Sequence, residues 1–295
     1  MNVIGILVLF DPDRDALRNA IDSARQFGRL VIVDNSAAPT RHFEGLPNVS
    51  YRHNANRGGI AGAFNNGLDW ANPADHDYVF TLDQDTQLPK GYVQHMTRFA
   101  ARNNAAICCP DFVDIHSGTR AGFVHLTHFG YRPSSDDTTD FCISSGLCVL
   151  GDVYRNIRYD ESLFIDHVDT DFCLKAKRAG LRIFVNRELV LRHAIGKRQL
   201  KTFLGVTIKP THHAASRRYY IVRNGWLLSL ANLRIYPGFF MLNLARTIHE
   251  ILAVVLFEKE KTGKLMAICR GLLHAVLGVR GEDQRRNAQR LDGQA

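Results

Sequence analysis

The sequence predicts an α/β chain: a mostly parallel central sheet with helices on both faces, followed by a C-terminal helical region. Three observations predict it. Short apolar runs alternate with amphipathic stretches through the first half, polar residues sit directly after several of those runs, and beyond about residue 200 the runs become long and helix-like. Strand and helix repeating at this spacing argue for a parallel sheet covered on both sides. Ligands in such sheets bind beyond the carboxyl ends of the strands, so the polar residues that follow the runs are the first functional candidates. The expected division places the sheet-bearing unit over residues 1–200 and a basic, apolar-rich helical region over 201–295.

In chain order, "VIGILVLF" (3–10) reads as a first core strand, "RDALRNAIDSARQF" (14–27) as a helix and "RLVIVDNS" (29–36) as the next strand. The units repeat as "VSYRHN" (49–54), "GGIAGAFNNGLDWA" (58–71) and "DYVFTLDQD" (77–85). "RPSSDDTTD" (132–140) carries loop chemistry. "FCISSGLCVLG" (141–151) returns to a buried strand interrupted by a small polar turn, and "LRIFVNRELVLRHAIG" (181–196) reads as a last strand.

A chain of 295 residues with 45% hydrophobic and 22% charged side chains has an ordinary globular composition, which excludes wholesale disorder. The six cysteines form no C-x-x-C pair, and no signal-peptide pattern opens the sequence. Reduced, mostly buried thiols in a cytoplasmic protein are the expectation. The net charge of +8 is concentrated in the C-terminal region. There "SRRYYIVRNGWLLSLANLR" (216–234) and "GFFMLNLARTIHEILAVVLFEKEK" (238–261) read as helices. The second has nearly the length of a membrane span, but each charge near a helix centre costs about 2.5–3.5 kcal/mol to insert. Asn243, Arg246 and Glu250 follow a spacing of three and four, which places them on one face. An amphipathic helix that packs on the domain or lies in a membrane interface fits this pattern. The apolar interleaving argues against nucleic acid as the partner of the basic region.

Several polar groups could carry chemistry. Asp34 ends a strand, where its carboxylate suits either the imide N–H of a nucleobase or a turn. Asn56, Arg57 and Gly58 open "NRGGIAGAFNNG", whose glycines suit a phosphate at a helix N-terminus or a tight helix-to-sheet contact. Asp83 and Asp85 flank Gln84 after a strand, and paired carboxylates there suit a hard divalent ion bridging a diphosphate. His193 follows the last apolar strand and is a further candidate metal ligand or a structural imidazole. "LFIDHVDTDFCLKAKRAGL" (163–181) crowds Asp166, Asp169 and Asp171 before a helix that Gly180 stops. Asp169 or Thr170 would cap that helix. Three acids exceed what a cap requires, and one candidate surplus role is a general base for an acceptor hydroxyl.

The series "VIVDNS", "NRGGIAGAFNNG", "DQD", "ISSG", "LFIDHVDTDFCLKAKRAG" and "LRHAIG" resembles, in order, the inverting glycosyltransferases of family 2. "ISSG", "FIDHVDTDFCLKA" and "RRYYIVRNG" are similar to its bacterial rhamnosyltransferase branch. The resemblance implies a GT-A fold, a dTDP-L-rhamnose donor, Mg²⁺ or Mn²⁺, and inversion at the anomeric carbon. It implies nucleotide-sugar contacts from Asp34, Asn56, Arg57, Gly58, Asp83 and Gln84, metal ligation by Asp85 and His193, and Asp169 as catalytic base. Ser145, Gly146 and Asp166 fall where acceptor or donor sugar would lie. Val168 stands where the family usually has Glu, which leaves Asp166 as an alternative base. The implied acceptor is a glycolipid or lipid-linked saccharide at the cytoplasmic face of the inner membrane. A UDP-linked donor, or a noncatalytic nucleotide-sugar-binding partner of an envelope-assembly complex, are the competing readings.

Overall fold

The structure, a computed structural model, describes residues 1–283 apart from 41, 44, 116, 194–199 and 204, and leaves the side chains of 193, 203 and 206 undescribed. Strands β1 (Val3–Leu9), β2 (Arg29–Asp34), β3 (Val49–His53) and β4 (Tyr78–Asp83) alternate with helices α1 (Arg14–Ala24), α2 (Gly59–Ala71) and α3 (Tyr92–Arg102). Next come β5 (Ile107–Asp114), the short hairpin of β6 (Val124–Leu126) and β7 (Tyr131–Pro133), β8 (Thr138–Thr139), β9 (Leu147–Leu150) and α4 (Val153–Asn156). Helix α5 (Val168–Arg178) precedes β10 (Ile183–His193), the hairpin of β11 (Lys201–Phe203) and β12 (Val206–Ile208), and helices α6 (Ala215–Asn232), α7 (Pro237–Phe257) and α8 (Lys261–Val276).

The central sheet has the order β3-β2-β1-β4-β9-β5-β10-β8. Its ladders are parallel except around β9 and the edge strand β8, which pair antiparallel with their neighbours. The apolar runs are continuous because both faces are covered. On β1, Ile4, Ile6 and Val8 meet Phe64 and Leu68 of α2 and Phe172 of α5 in one core. Leu7 and Leu9 point to the other core, with Ala20 and Ala24 of α1 and Met96 and Ala100 of α3.

The parallel register sets the site. Leu9 pairs with Asp34 on one side and Val8 with Asp83 on the other, so both acids lie at the carboxyl edge with β1 between them. The polar interruption expected in 141–151 is the turn that reverses the chain into β9.

Two differences from the sequence expectation concern helix ends. Helix α7 stops at Phe257 because Glu258 turns extended and carries its carboxylate inward to Arg218 and Lys264. Beyond residue 261 the sequence reading had no element, whereas α8 packs there against α6, through Ile268 on Val222. Helix α7 is, among the described residues, the one helix long and apolar enough by length and composition to cross a membrane, although a third of it is buried in the protein. All six cysteines are free thiols, and only Cys269 is exposed.

Candidate active site

Asp34 is fully buried. Its Oδ1 accepts the Ser36 amide at 2.9 Å, and its Oδ2 accepts the Tyr51 hydroxyl at 2.6 Å and the Thr40 amide at 3.2 Å. Burial, then the bond to Asp34, raises the Tyr51 phenol above its ordinary range. The carboxylate therefore holds the 34–40 turn, and Oδ1 retains a second lone pair for a further donor.

The glycine-rich stretch starts α2 and presses against the turn at Phe164. Gly59 has φ +62°, and a Cβ there would lie 2.1 Å from the Phe164 carbonyl oxygen, which accepts the Ile60 amide at 2.9 Å. No other residue permits that approach. Asn54 and Asn35 bond each other, and between them reach the carbonyls of Arg57 and Gly59. Asn56 and Arg57 form the turn before the helix, with Arg57 exposed. The tight-contact explanation for these glycines thus has a named partner, the turn that precedes α5.

The Asp83–Asp85 segment is electrostatically loaded. Asp83 Oδ1 is buried with no hydrogen-bond donor among the described residues. Burial, then the charges of Asp85 and Asp169, raises the Asp83 carboxyl to about 7, against a bond from Ser145 and the charge of Arg217. An unmatched carboxylate oxygen beside a second acid fits a hard cation, because oxygen ligands with open positions are what Mg²⁺ or Mn²⁺ takes. Among the described residues no group of three or more metal-ligating side chains is preassembled. Asp85 is exposed and lines a cavity of about 440 Å³ with Asn19, Gln84 and Arg192. The Gln84 side chain accepts the Phe10 amide at 2.8 Å. Ser145 bonds Thr86, whose hydroxyl also receives the Asp83 amide. Gly146 has φ +77° and leaves no room for a Cβ beside Leu191 and the Tyr92 hydroxyl, so its turn fixes Ser145 under the acids. His193 closes β10 opposite Asp114 of β5; its side chain lies outside the described residues.

The acid-rich stretch enters its helix through a tight turn. A 3-10 turn at Glu161–Leu163 is followed by Phe164, Asp166 and His167, all with φ between +60° and +67°. Three non-glycine residues in the left-handed region are costly, and such strain persists where surrounding contacts overdetermine it. Here Asn224 of α6 donates to the carbonyls of Leu163, Ile165 and Asp166, and buried Arg223 also reaches Leu163. His167 occupies the N-cap position, so Asp169 and Asp171 lie within the first helical turn rather than at its cap. Asp171 is bound by Lys175 at 2.6 Å. Asp169 accepts the Thr170 amide at 2.8 Å, and its own backbone amide also acts on it. Burial raises its carboxyl to about 6; the Thr170 amide lowers it, Asp166 raises it further, and Arg246 lowers it.

The fold thus gathers Asp83, Asp85, Asp166 and Asp169 into one field. Arg217 pairs with Asp166 at 3.1 Å and its charge acts on Asp83 and Asp85. Arg217 and Arg246 were not among the site residues expected from sequence. Arg217 lies in "RRYYIVRNG", and the spacing of Asn243, Arg246 and Glu250 marked a shared face, which now lines one cavity.

Residues 6–156 match the sequence profile of Glycosyl transferase family 2. The chain is 25% identical to the dTDP-rhamnosyl transferase RfbF of Shigella flexneri, over 95% of this chain and 96% of that one. The 1–349 fragment of S. aureus TarS in complex with UDP-GlcNAc is similar in fold, with a TM-score of 0.56 at 14% identity over 94% of this chain and 82% of that one. A longer S. aureus TarS structure gives a TM-score of 0.57 at 14% identity over 88% of this chain, which spans 44% of that chain. The mostly parallel sheet followed by helices is therefore a GT-A-like arrangement. With the family's profile covering half of its length, including the strands that carry Asp34 and Asp83 and the turn with Asp85, the chain belongs to glycosyltransferase family 2.

Proposed function

We propose that this glycosyltransferase moves L-rhamnose from dTDP-L-rhamnose, with inversion, to a hydroxyl of a glycolipid or lipid-linked saccharide. The observation that carries the reading is the placement of Asp169 in one field with Asp83 and Asp85. A poised carboxylate and a diphosphate-binding acid pair are what a single displacement needs side by side. Asp169, raised to about 6 yet still ionised at neutral pH, takes the acceptor proton. The acceptor oxygen forms its bond to the anomeric carbon as the bond to the diphosphate oxygen breaks, and dTDP departs with that electron pair. Asp83 and Asp85 would hold Mg²⁺ or Mn²⁺, with His193 as a further ligand; the ion supplies positive charge to the leaving diphosphate. Asp34 would read the thymine imide, and Asn56, Arg57, Gly58 and Gln84 would line the nucleotide sugar. Ser145, Gly146 and Asp166 would border the sugars.

The dTDP-rhamnosyl transferase relative supports the donor. In this reading residues 1–200 handle the nucleotide sugar and 201–295 face acceptor and membrane. Met241, Ile248, Leu252 and Val255 expose an apolar stripe along α7 at spacings of seven, four and three. Together with the basic C-terminal excess, that stripe supports a peripheral position on the cytoplasmic face of the inner membrane.

The test is a donor screen on purified protein with Mg²⁺ or Mn²⁺, reading the melting temperature. dTDP-L-rhamnose should give the largest rise; a larger rise with a UDP-sugar overturns the donor assignment. Cosedimentation with anionic rather than neutral liposomes checks the membrane position.

A further inference from the structure

On the far side of the acid-rich turn lies a second cavity of about 570 Å³, bounded by residues of β7, α6 and α7 and the segment after β12. None of the nucleotide-sugar candidates lines it. Its polar wall includes His167, Lys209, Thr211, Asn243 and Arg246, with Tyr131 at one side. Among the described residues, one side-chain atom on each of two of these groups lacks a hydrogen-bond partner, although the His167 ring is hydrogen-bonded to the Ile221 backbone. Asn243 is 3% exposed, yet its Nδ2 makes no hydrogen bond. His167 Nδ1 is likewise buried without one. A buried donor or acceptor left unmet is costly, so two in one wall point to a ligand that meets them. Gly225 keeps the groups close: a Cβ there would lie 2.5 Å from Asn243 Oδ1 and 3.0 Å from His167 Nε2.

The charges are as informative as the unmet atoms. Arg246 and Lys209 bring two cations to the wall, and the acid that lines it, Glu250, is paired with Arg218. His167 is lowered to about 3, chiefly by burial and further by Arg246, so its ring is neutral and accepts or donates as a polar group. The cavity is coupled to the chemistry through its own lining. His167 lies two residues before Asp169, and the charge of Arg246 acts on Asp169.

We propose that this cavity is the acceptor site and that it selects a sugar unit bearing an anionic group, a phosphate or a carboxylate. Hydroxyls of that sugar bond Asn243 and His167, and its anion meets Arg246 and Lys209. This rests on the transferase reading, because it places the acceptor within reach of Asp169.

The test titrates glucose 6-phosphate, glucuronate and glucose into the protein saturated with dTDP and Mg²⁺, read by saturation-transfer NMR. Both anionic sugars should bind, with glucose at least tenfold weaker. Arg246→Gln should weaken the anionic sugars at least tenfold and leave dTDP affinity within twofold, and Arg246→Lys should restore most of the anionic preference. Equal binding to wild type and Arg246→Gln, or no sugar binding to wild type, overturns the proposal. dTDP affinity is read separately, and the sugar titrations are repeated without nucleotide: failure of wild type to bind dTDP counts against the donor reading, while the Arg246 response decides the acceptor site in either case.

Discussion

Two groups of charges are withdrawn from water in this molecule, and they are built in opposite ways. In the C-terminal helices, Arg218, Glu258 and Lys264 are each 5% exposed or less, and Glu258 receives Arg218 at 2.5 Å and Lys264 at 2.9 Å. Burial alone would raise its carboxyl, but the Lys264 bond, the His212 amide and the charge of Arg218 hold it below the ordinary range. At the end of β4 and the start of α5 the reverse holds. Asp83 and Asp169 are pushed up to about 7 and about 6, with acids acting on acids and too few donors near them. A buried charge that is matched secures packing, whereas one left mismatched is free to be matched by something that binds or reacts.

The largest effect that would sharpen this contrast is on turnover. Asp169→Asn should lower the transfer rate about 10²–10⁴-fold, the usual worth of a general base. Its melting temperature at pH 8 should not fall, because the substitution removes a charge that the fold does not stabilise. Full transfer activity in this variant would refute the base assignment. Glu258→Gln should do the opposite. Breaking a buried pair costs about 3–5 kcal/mol, so urea unfolding should show a loss of that size. Turnover per folded molecule should stay near wild type. If Asp169→Asn were as destabilising as Glu258→Gln, the two regions would not differ as described.

The pH dependence separates the regions next. If Asp169 is the base it must act ionised, and kcat/KM should then fall about tenfold per pH unit below about 6, or about 1.4 kcal/mol per unit. Stability carries opposite signs in the two places. The raised Asp169 carboxyl favours the fold at low pH, and that contribution is lost as pH rises from ~4 through about 6. The lowered Glu258 carboxyl favours the fold above its ordinary range and loses that contribution as pH falls through its folded value. Melting curves of the two variants against wild type read both slopes, the Asp169 slope between about pH 4 and 7 and the Glu258 slope below about pH 4.5.

The parallel sheet was legible because its strands are buried on both faces and therefore read as unbroken apolar runs. Asp34 and Asp83 were legible because an acid directly after such a run sits at the carboxyl edge. The turn at 164–167 was not, since nothing in "FIDH" signals three left-handed residues; they are imposed by Asn224 and Arg223, some sixty residues later. The same holds for Arg217 and Arg246, whose positions depend on how α6 and α7 dock. Sequence spacing showed that Asn243, Arg246 and Glu250 share a face, but a face becomes a cavity only through what packs opposite it.

The smallest predicted effect tests the contrast at closest range, between acids two residues apart. Asp171 and Asp169 share the first turn of α5, and burial raises both carboxyls. Lys175 answers Asp171 at 2.6 Å, one helical turn on, while among the described residues no cation is bonded to Asp169. If matching is what divides structure from function, Asp171→Asn should cost less than about 1 kcal/mol, the range of an i, i+4 pair, and leave kcat within about twofold. Parallel unfolding and transfer assays on the two Asn variants make the comparison. A turnover loss in Asp171→Asn approaching that of Asp169→Asn would mean that the turn acts as one unit, and that the mismatch at Asp169 alone does not identify the base.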